Sequence, residues 1–295
     1  MFFAAEAGLR TLRVHKSANL SAEDLLAICD AASSGQAISA GRNRIWALDW
    51  GERVLAVKSF GIPWGVRKWI YGSIRRSKAR RSFENATTLI SLGPYTPKPI
   101  GYAEFGDRSH LIESFYVSEY LPISNDAFPL RDVLLDACWP DREVILSAFG
   151  QFTCKLHDMG ILHRDYSPGN VLVVASKTDL ERKQTSSHIA DSPEEMRTQC
   201  SKRSYRFELV DLNRMSFGKV NTKHRMENLR HLWADDNDLR IIVTGYAGGL
   251  TLPIATLWNF AWRASQNHKK KASREERMKR LLRSWLRNGQ SAENS

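Results

Sequence analysis

The sequence predicts an α+β protein of two lobes, a small antiparallel sheet first and a mainly helical half second. Three observations predict it. Between residues 38 and 121, short runs with strand character recur, separated by turn residues and by one stretch of helical periodicity. From Asp141 to Met159, the apolar residues Val144, Ile145, Ala148, Phe149, Phe152 and Leu156 fall at helical spacing. Between that helix and an apolar strand at 171–175 lies the run I-L-H-R-D-Y-S-P-G-N, residues 161–170. The expected divisions are an N-terminal extension at 1–37, the sheet lobe at 38–122 and the helical lobe at 123–290. A polar insertion interrupts the second lobe at 176–204.

Length and composition bound these expectations. The 295 residues suffice for one large domain or two small ones, and 42% hydrophobic with 25% charged residues is ordinary for a globular protein. No apolar run approaches the roughly 18 to 20 residues that span a bilayer. Four scattered cysteines without C-x-x-C spacing predict neither a zinc site nor a disulfide framework, so a reducing cytosol is the default expectation. The formal net charge of +11 is unusual and favours anionic partners: nucleic acid, an anionic membrane surface or phosphorylated substrates.

The elements follow in order. Residues 9–16 alternate as a half-buried strand does. Ser21, followed by Glu23 and Asp24, caps a helix whose apolar side is Leu25, Leu26 and Ile28. Two strands joined near Asp49-Trp50-Gly51-Glu52 come next, the second (R-V-L-A-V-K-S-F) ending close to Lys58. Gly41 marks a possible turn over phosphates, but no G-x-G-x-x-G is present. Residues 64–81 carry Arg67, Lys68, Arg75, Arg76, Lys78, Arg80 and Arg81, interleaved with Trp64, Trp69 and Tyr71. That stretch reads equally as a solvated helix face or as a surface for anionic groups. A helix over 77–92 contains Glu84 and ends at Gly93-Pro94. Two strands over 102–121 and a loop at 122–129 lead to the long helix, which Gly160 terminates. The strand at 205–210 ends in D-L-N-R-M-S-F-G. The C-terminal segment 273–287 is basic and amphipathic, with Met278, Leu281, Leu282 and Trp285 on one face, suited to packing on its own domain or to a membrane surface.

The polar residues carry a chemistry. H-R-D followed by Asn at the spacing of residues 163–170 is the catalytic-loop pattern of protein-kinase-like phosphotransferases. In that pattern Asp165 accepts the proton of an acceptor hydroxyl, and Asn170 with Asp211 coordinates magnesium. Lys58 grips the ATP phosphates, and Glu84 on its helix holds Lys58. A loop Asp or Asn alone is usually solvated or turn-forming. A strand lysine, a helix glutamate, H-R-D-x-x-x-x-N and a strand-end Asp in this order point to ATP and magnesium as cofactors. The D-F-G position reads Asp211-Leu212-Asn213, and no A-P-E follows. A peptide platform is therefore not expected, and a small or lipid-linked acceptor is.

At G-R-N-R (41–44), V-K-S-F around Lys58, S-K-A-R-R-S-F-E (77–84), G-P-Y-T-P-K-P-I-G-Y (93–102), H-R-D-Y-S-P-G-N and V-D-L-N-R-M-S-F-G (210–218), the chain resembles the lipopolysaccharide core kinases. The resemblance runs over about residues 41–233. It implies a bilobal kinase-like fold, MgATP, and transfer to a Kdo or heptose hydroxyl of a lipid-linked anionic sugar. It further implies a cytoplasmic enzyme peripheral on the inner membrane. The insertion at 176–204 is no part of that pattern. Competing readings are an atypical protein kinase and a membrane-associated pseudokinase; a nucleic-acid binder has charge in its favour but no recognition motif.

Overall fold

The computed structural model describes residues 8–35, 37–39, 43–61, 76–107, 110–176, 203–248 and 253–292, with side chains to 279. The expected Gly41 turn, residues 64–75 of the basic stretch and nearly all of the polar insertion lie outside the described residues. The chain divides into two compact units. Unit 1 comprises Met1–Pro129 and Asn170–Met215; unit 2 comprises Leu130–Gly169 and Ser216–Ser295.

Unit 1 begins with strand β1 (Leu9–Val14) and helix α1 (Ala22–Ser34). Ser21 caps that helix as its sequence demands: its Oγ accepts the Asp24 N–H at 3.0 Å, and Asp24 Oδ2 accepts the Ser21 N–H at 2.8 Å. Strands β2 (Asn43–Trp50) and β3 (Arg53–Phe60) form a hairpin in which Trp50 pairs with Arg53. Only Gly51 and Glu52 make the turn, so it is tighter than expected, and Gly51 takes a φ of 61° that costs glycine nothing. Helix α2 (Lys78–Leu92) starts on Ser77, whose Oγ accepts the Arg80 N–H. Strands β4 (Pro99–Gly106) and β5 (Leu111–Glu119) complete a five-stranded antiparallel sheet in the order β1-β4-β5-β3-β2. Lys58 stands opposite Ile45 on one side and Tyr116 on the other.

Helix α1 covers one face of this sheet. Leu25, Ile28 and Cys29 join Leu55, Val57, Ile100, Phe115 and Val117 in a core from which water is excluded. On α2, Phe83 meets Tyr102 with ring centroids 5.4 Å apart.

A second, three-stranded sheet pairs β6 (Ala127–Pro129) with β7 (Val171–Ser176), and β7 with β8 (Ser204–Leu209). The 122–129 stretch, expected as loop, thus contains a short strand. Ala127 and Phe128 are buried there and pair with Val174 and Val173.

Unit 2 is helical: α3 (Leu130–Leu135), α4 (Arg142–Asp158), α5 (Thr222–Asn228), α6 (Asp236–Ala247) and α7 (Ile254–Ala292). Helices α4 and α6 approach closely through glycines. A methyl group on Gly150 would stand 2.1 Å from the Ile242 carbonyl oxygen, and one on Gly245 would stand 2.2 Å from that of Ser147. The basic C-terminal segment belongs to the single helix α7. Met278, one of its expected apolar-face residues, is exposed; the side chains of Leu281, Leu282 and Trp285 lie outside the described residues. Among the described residues no helix is long and apolar enough to cross a membrane.

Candidate functional site

Unit 1 brings three of the five expected site residues together: Asn170 and Asp211 flank one strand pair, and Lys58 reaches Asp211 from β3 of the larger sheet. In the antiparallel pairing of β7 with β8, Val171 stands opposite Leu209. Asn170 precedes β7 and Asp211 follows β8, so they share one end of that pair. The Val210 N–H donates to the Asn170 carbonyl at 3.0 Å. Asp211 adopts a left-handed conformation, φ 56° and ψ 49°, which a short polar side chain tolerates better than most. Its Oδ1 lies 2.8 Å from Lys58 Nζ and accepts from Asn213 Nδ2 at 2.6 Å. Both ion-pair partners are largely buried, at 15% and 24% side-chain exposure, where solvent screens their attraction less than at the surface.

Two asparagines that sequence reasoning did not assign hold this corner in place. Asn213, noticed only as a departure from D-F-G, orients the Asp211 carboxylate. Asn85 on α2 donates to the Leu212 carbonyl at 2.7 Å, tying that helix to the turn that bears Asp211. The Asn85 contact has no sequence signal, because Asn85 and Leu212 lie far apart along the chain, whereas the Asn213 contact is local, two residues from Asp211.

Glu84 does not meet Lys58. Its carboxylate accepts from Arg80 Nε at 2.9 Å and from an Arg76 guanidinium nitrogen at 2.8 Å. The physical reason is proximity: Arg80 lies one helical turn before Glu84, and Arg76 just ahead of the helix cap. Two members of the basic stretch are thereby taken up in an ion-pair cluster within unit 1.

Among the described residues, no group of three His, Cys, Asp or Glu side chains is placed to hold a metal. A divalent cation at this corner would instead draw on the Asp211 carboxylate, the Asn170 amide oxygen and oxygens from a ligand. That donor set suits magnesium, which commonly takes one or two protein carboxylates plus substrate phosphates.

The fifth residue, Asp165, belongs to unit 2, on the loop after the short strand Ile161–His163. The loop is braced from below. His163 is buried, and its Nδ1 accepts the Asp165 N–H at 3.2 Å. Tyr166 is fully buried, its hydroxyl 2.9 Å from Thr153 Oγ1 on α4 and its ring against Phe149. Asn228 donates to the His163 carbonyl at 3.0 Å, while its Oδ1 lies 3.2 Å from His157 Nε2. His157 Nδ1 lies 3.0 Å from the Tyr246 hydroxyl. Gly160 takes the left-handed conformation expected of it, and a methyl there would meet the Gly218 carbonyl oxygen at 2.5 Å.

Burial, the largest cause, pushes the His157 pKa down from 6.5 to about 4, against the raising effect of the Asn228 hydrogen bond. The neutral ring then donates from Nε2 to Asn228 and accepts at Nδ1 from Tyr246. The unfolded chain binds a proton to His157 below about pH 6.5 and the folded chain does not. This contribution to stability is complete above pH 6.5 and is lost as pH falls toward 4. The unfolding free energy of the wild type relative to His157→Gln is expected to shrink by about 3 kcal/mol across that window. Urea titrations of both proteins at a series of pH values measure it; a difference that does not change with pH refutes the neutral buried imidazole.

No protein-family model and no curated protein matches the sequence. Among solved structures, WaaP in complex with acyl carrier protein is similar at a TM-score of 0.54 and 16% identity, covering 90% of this chain and 99% of that one. The Rio2 kinase of Chaetomium thermophilum, in its ADP/Mg2+-phosphoaspartate complex, matches at a TM-score of 0.43 and 16% identity, over 95% of this chain and 82% of that one. The five-stranded antiparallel sheet with its helices, the helical unit 2 and the likeness to WaaP together assign this chain the α+β protein-kinase-like fold.

Proposed function

We propose that this chain is a kinase that transfers the γ-phosphoryl group of MgATP to a sugar hydroxyl, Kdo or heptose, of the lipopolysaccharide inner core. The observation that carries the reading is the 2.8 Å contact of Lys58 with Asp211 at the strand end that also bears Asn170. The order of the motifs, the resemblance of the sequence to the lipopolysaccharide core kinases and the fold shared with WaaP support it.

In this reading Lys58 binds the phosphates of ATP. Asp211 and Asn170 would hold magnesium, which neutralises charge on the phosphates when bound. Asp165 orients the acceptor hydroxyl and takes its proton as the new O–P bond forms and the bond to the ADP oxygen breaks. Positioning and charge neutralisation supply most of the rate, since phosphoryl transfer needs little covalent chemistry from the protein. Glu84, engaged with two arginines, would serve by fixing the first turn of α2. The enzyme would act at the cytoplasmic face of the inner membrane as a peripheral protein, its net charge of +11 attracting anionic lipid. An acyl carrier protein, the partner of WaaP in its solved complex, is a second candidate partner.

Purified chain incubated with MgATP and either Kdo–lipid A or heptosylated core glycolipid tests the proposal. Phosphate appearing on one of the two glycolipids is expected, and fragmentation by mass spectrometry names the sugar. Label on protein and on neither glycolipid would favour the atypical protein kinase. MgATP binding without transfer to any of these would favour the pseudokinase.

A further inference from the structure

Unit 2 contains an open cleft of about 600 Å³ beside the loop of Asp165. Its charged lining comes from separate parts of the chain: Arg164, Lys219, Arg230, His224 and His231, with Glu227 the carboxylate among them. Other arginines of the protein have found acids: Arg80 has Glu84, Arg142 has Asp238, Arg206 has Glu208 and Arg225 has Asp158. The side chains of Arg164, Lys219 and Arg230 make no hydrogen bond or ion pair with another described residue. Three permanent cations gathered in a concavity with one carboxylate leave a positive potential, which a bound anion would offset. His231 senses it: burial first, then Arg230 and His268, hold its pKa below the ordinary value.

We propose that this cleft binds an oxyanion, a phosphate or a carboxylate, carried by the acceptor substrate. The inference rests on the kinase reading and adds to it a residue set that selects the acceptor. Chain connectivity supports the acceptor over the nucleotide. Arg164 is the immediate neighbour of Asp165, the group assigned to the acceptor hydroxyl. The residues assigned to the nucleotide phosphates, Lys58, Asp211 and Asn170, all belong to unit 1. An anionic group seated on Arg164, Lys219 and Arg230 would fix the sugar that carries it, so that one hydroxyl is offered to Asp165 and the others are not. A planar guanidinium suits either oxyanion, because it can donate two parallel N–H groups to carboxylate or phosphate.

Calorimetric titration of the full chain with inorganic phosphate, and separately with acetate, tests the cleft. A saturating magnesium complex of a non-hydrolysable ATP analogue occupies the nucleotide site throughout. The wild type is expected to bind one of the two anions, and the better one names the group. In the Lys219→Gln/Arg230→Gln variant that affinity should fall by about tenfold or more, with affinity for the nucleotide analogue unchanged. Both side chains reach solvent, so the variant should keep the wild-type melting temperature. With glycolipid acceptor the same variant should raise the acceptor KM by about tenfold while kcat and the ATP KM stay within a few-fold. Anion affinity equal in variant and wild type overturns the site, as does a wild type that binds neither anion. An unchanged acceptor KM overturns the assignment to the acceptor. Failure of the kinase reading registers separately, as absence of nucleotide binding in the wild type, and the anion titration without nucleotide still reads the cleft.

Discussion

Asp211→Asn should abolish magnesium-dependent thermal stabilisation by ATP and lower turnover by on the order of 10³-fold or more. The substitution keeps the size of the side chain and its hydrogen bond with Asn213 in reach, but removes the charge that both Lys58 and a metal would need. Asp165→Asn, in contrast, should leave MgATP stabilisation at the wild-type value and reduce kcat by about 10² to 10⁴-fold, the usual contribution of a positioned general base. Glu84→Gln provides the control. Because the Glu84 carboxylate pairs with Arg76 and Arg80 and not with Lys58, it should cost under about 1 kcal/mol of stability and leave ATP affinity within a few-fold. Thermal shift with and without MgATP, followed by steady-state kinetics, separates the three. Wild-type ATP stabilisation in Asp211→Asn would remove Asp211 from the site, whatever the acceptor.

The largest effect on stability is expected from Asp238→Ala. Asp238, 2% exposed at the start of α6, forms a two-pronged ion pair with Arg142 at the start of α4, itself 14% exposed. Arg142 also donates to the Val133 and Asp136 carbonyls, so one guanidinium organises three segments of unit 2. Removing the carboxylate leaves a mostly buried cation without its counter-charge, which costs about 3 to 5 kcal/mol. Replacing both partners, as Arg142→Met with Asp238→Leu, should restore much of that loss, because no charge then remains to be desolvated. Denaturant unfolding of the single and double variants decides it; a double variant as unstable as Asp238→Ala alone would show that packing, not the stranded charge, is responsible.

Much of the fold was legible because its signals are local. The Ser21 capping box, the helix that ends at Gly93, the strands on either side of Gly51 and the long helix closed by Gly160 each need only a few consecutive residues to be specified. The strand Ala127–Pro129 was not legible. Three residues show no period, and they become a strand only because β7 supplies hydrogen-bond partners. The candidate site was legible in its residue types and their order and not in its pairings. Lys58, Asp165, Asn170 and Asp211 stand out by type and order, yet Asn213, Asn85, Asn228 and His157 carry no motif. The roles of Asn85, Asn228 and His157 come from contacts between residues distant in sequence, and that of Asn213 from the local turn it shares with Asp211.

Glu84 marks the same division. Its residue type and its place on a helix after the lysine strand were visible in the sequence, but its partner depends on which cation comes nearest when the helix is set on the sheet. By itself the sequence determined most of the elements that form and which side chains are candidates for the chemistry, since caps, turns and periodicity act over a turn or a strand. Only the tertiary structure decided that Lys58 meets Asp211, that Glu84 is held by two arginines, and that His157 stays neutral beneath the loop. Those outcomes depend on distance and burial, and a chain has neither until it is packed.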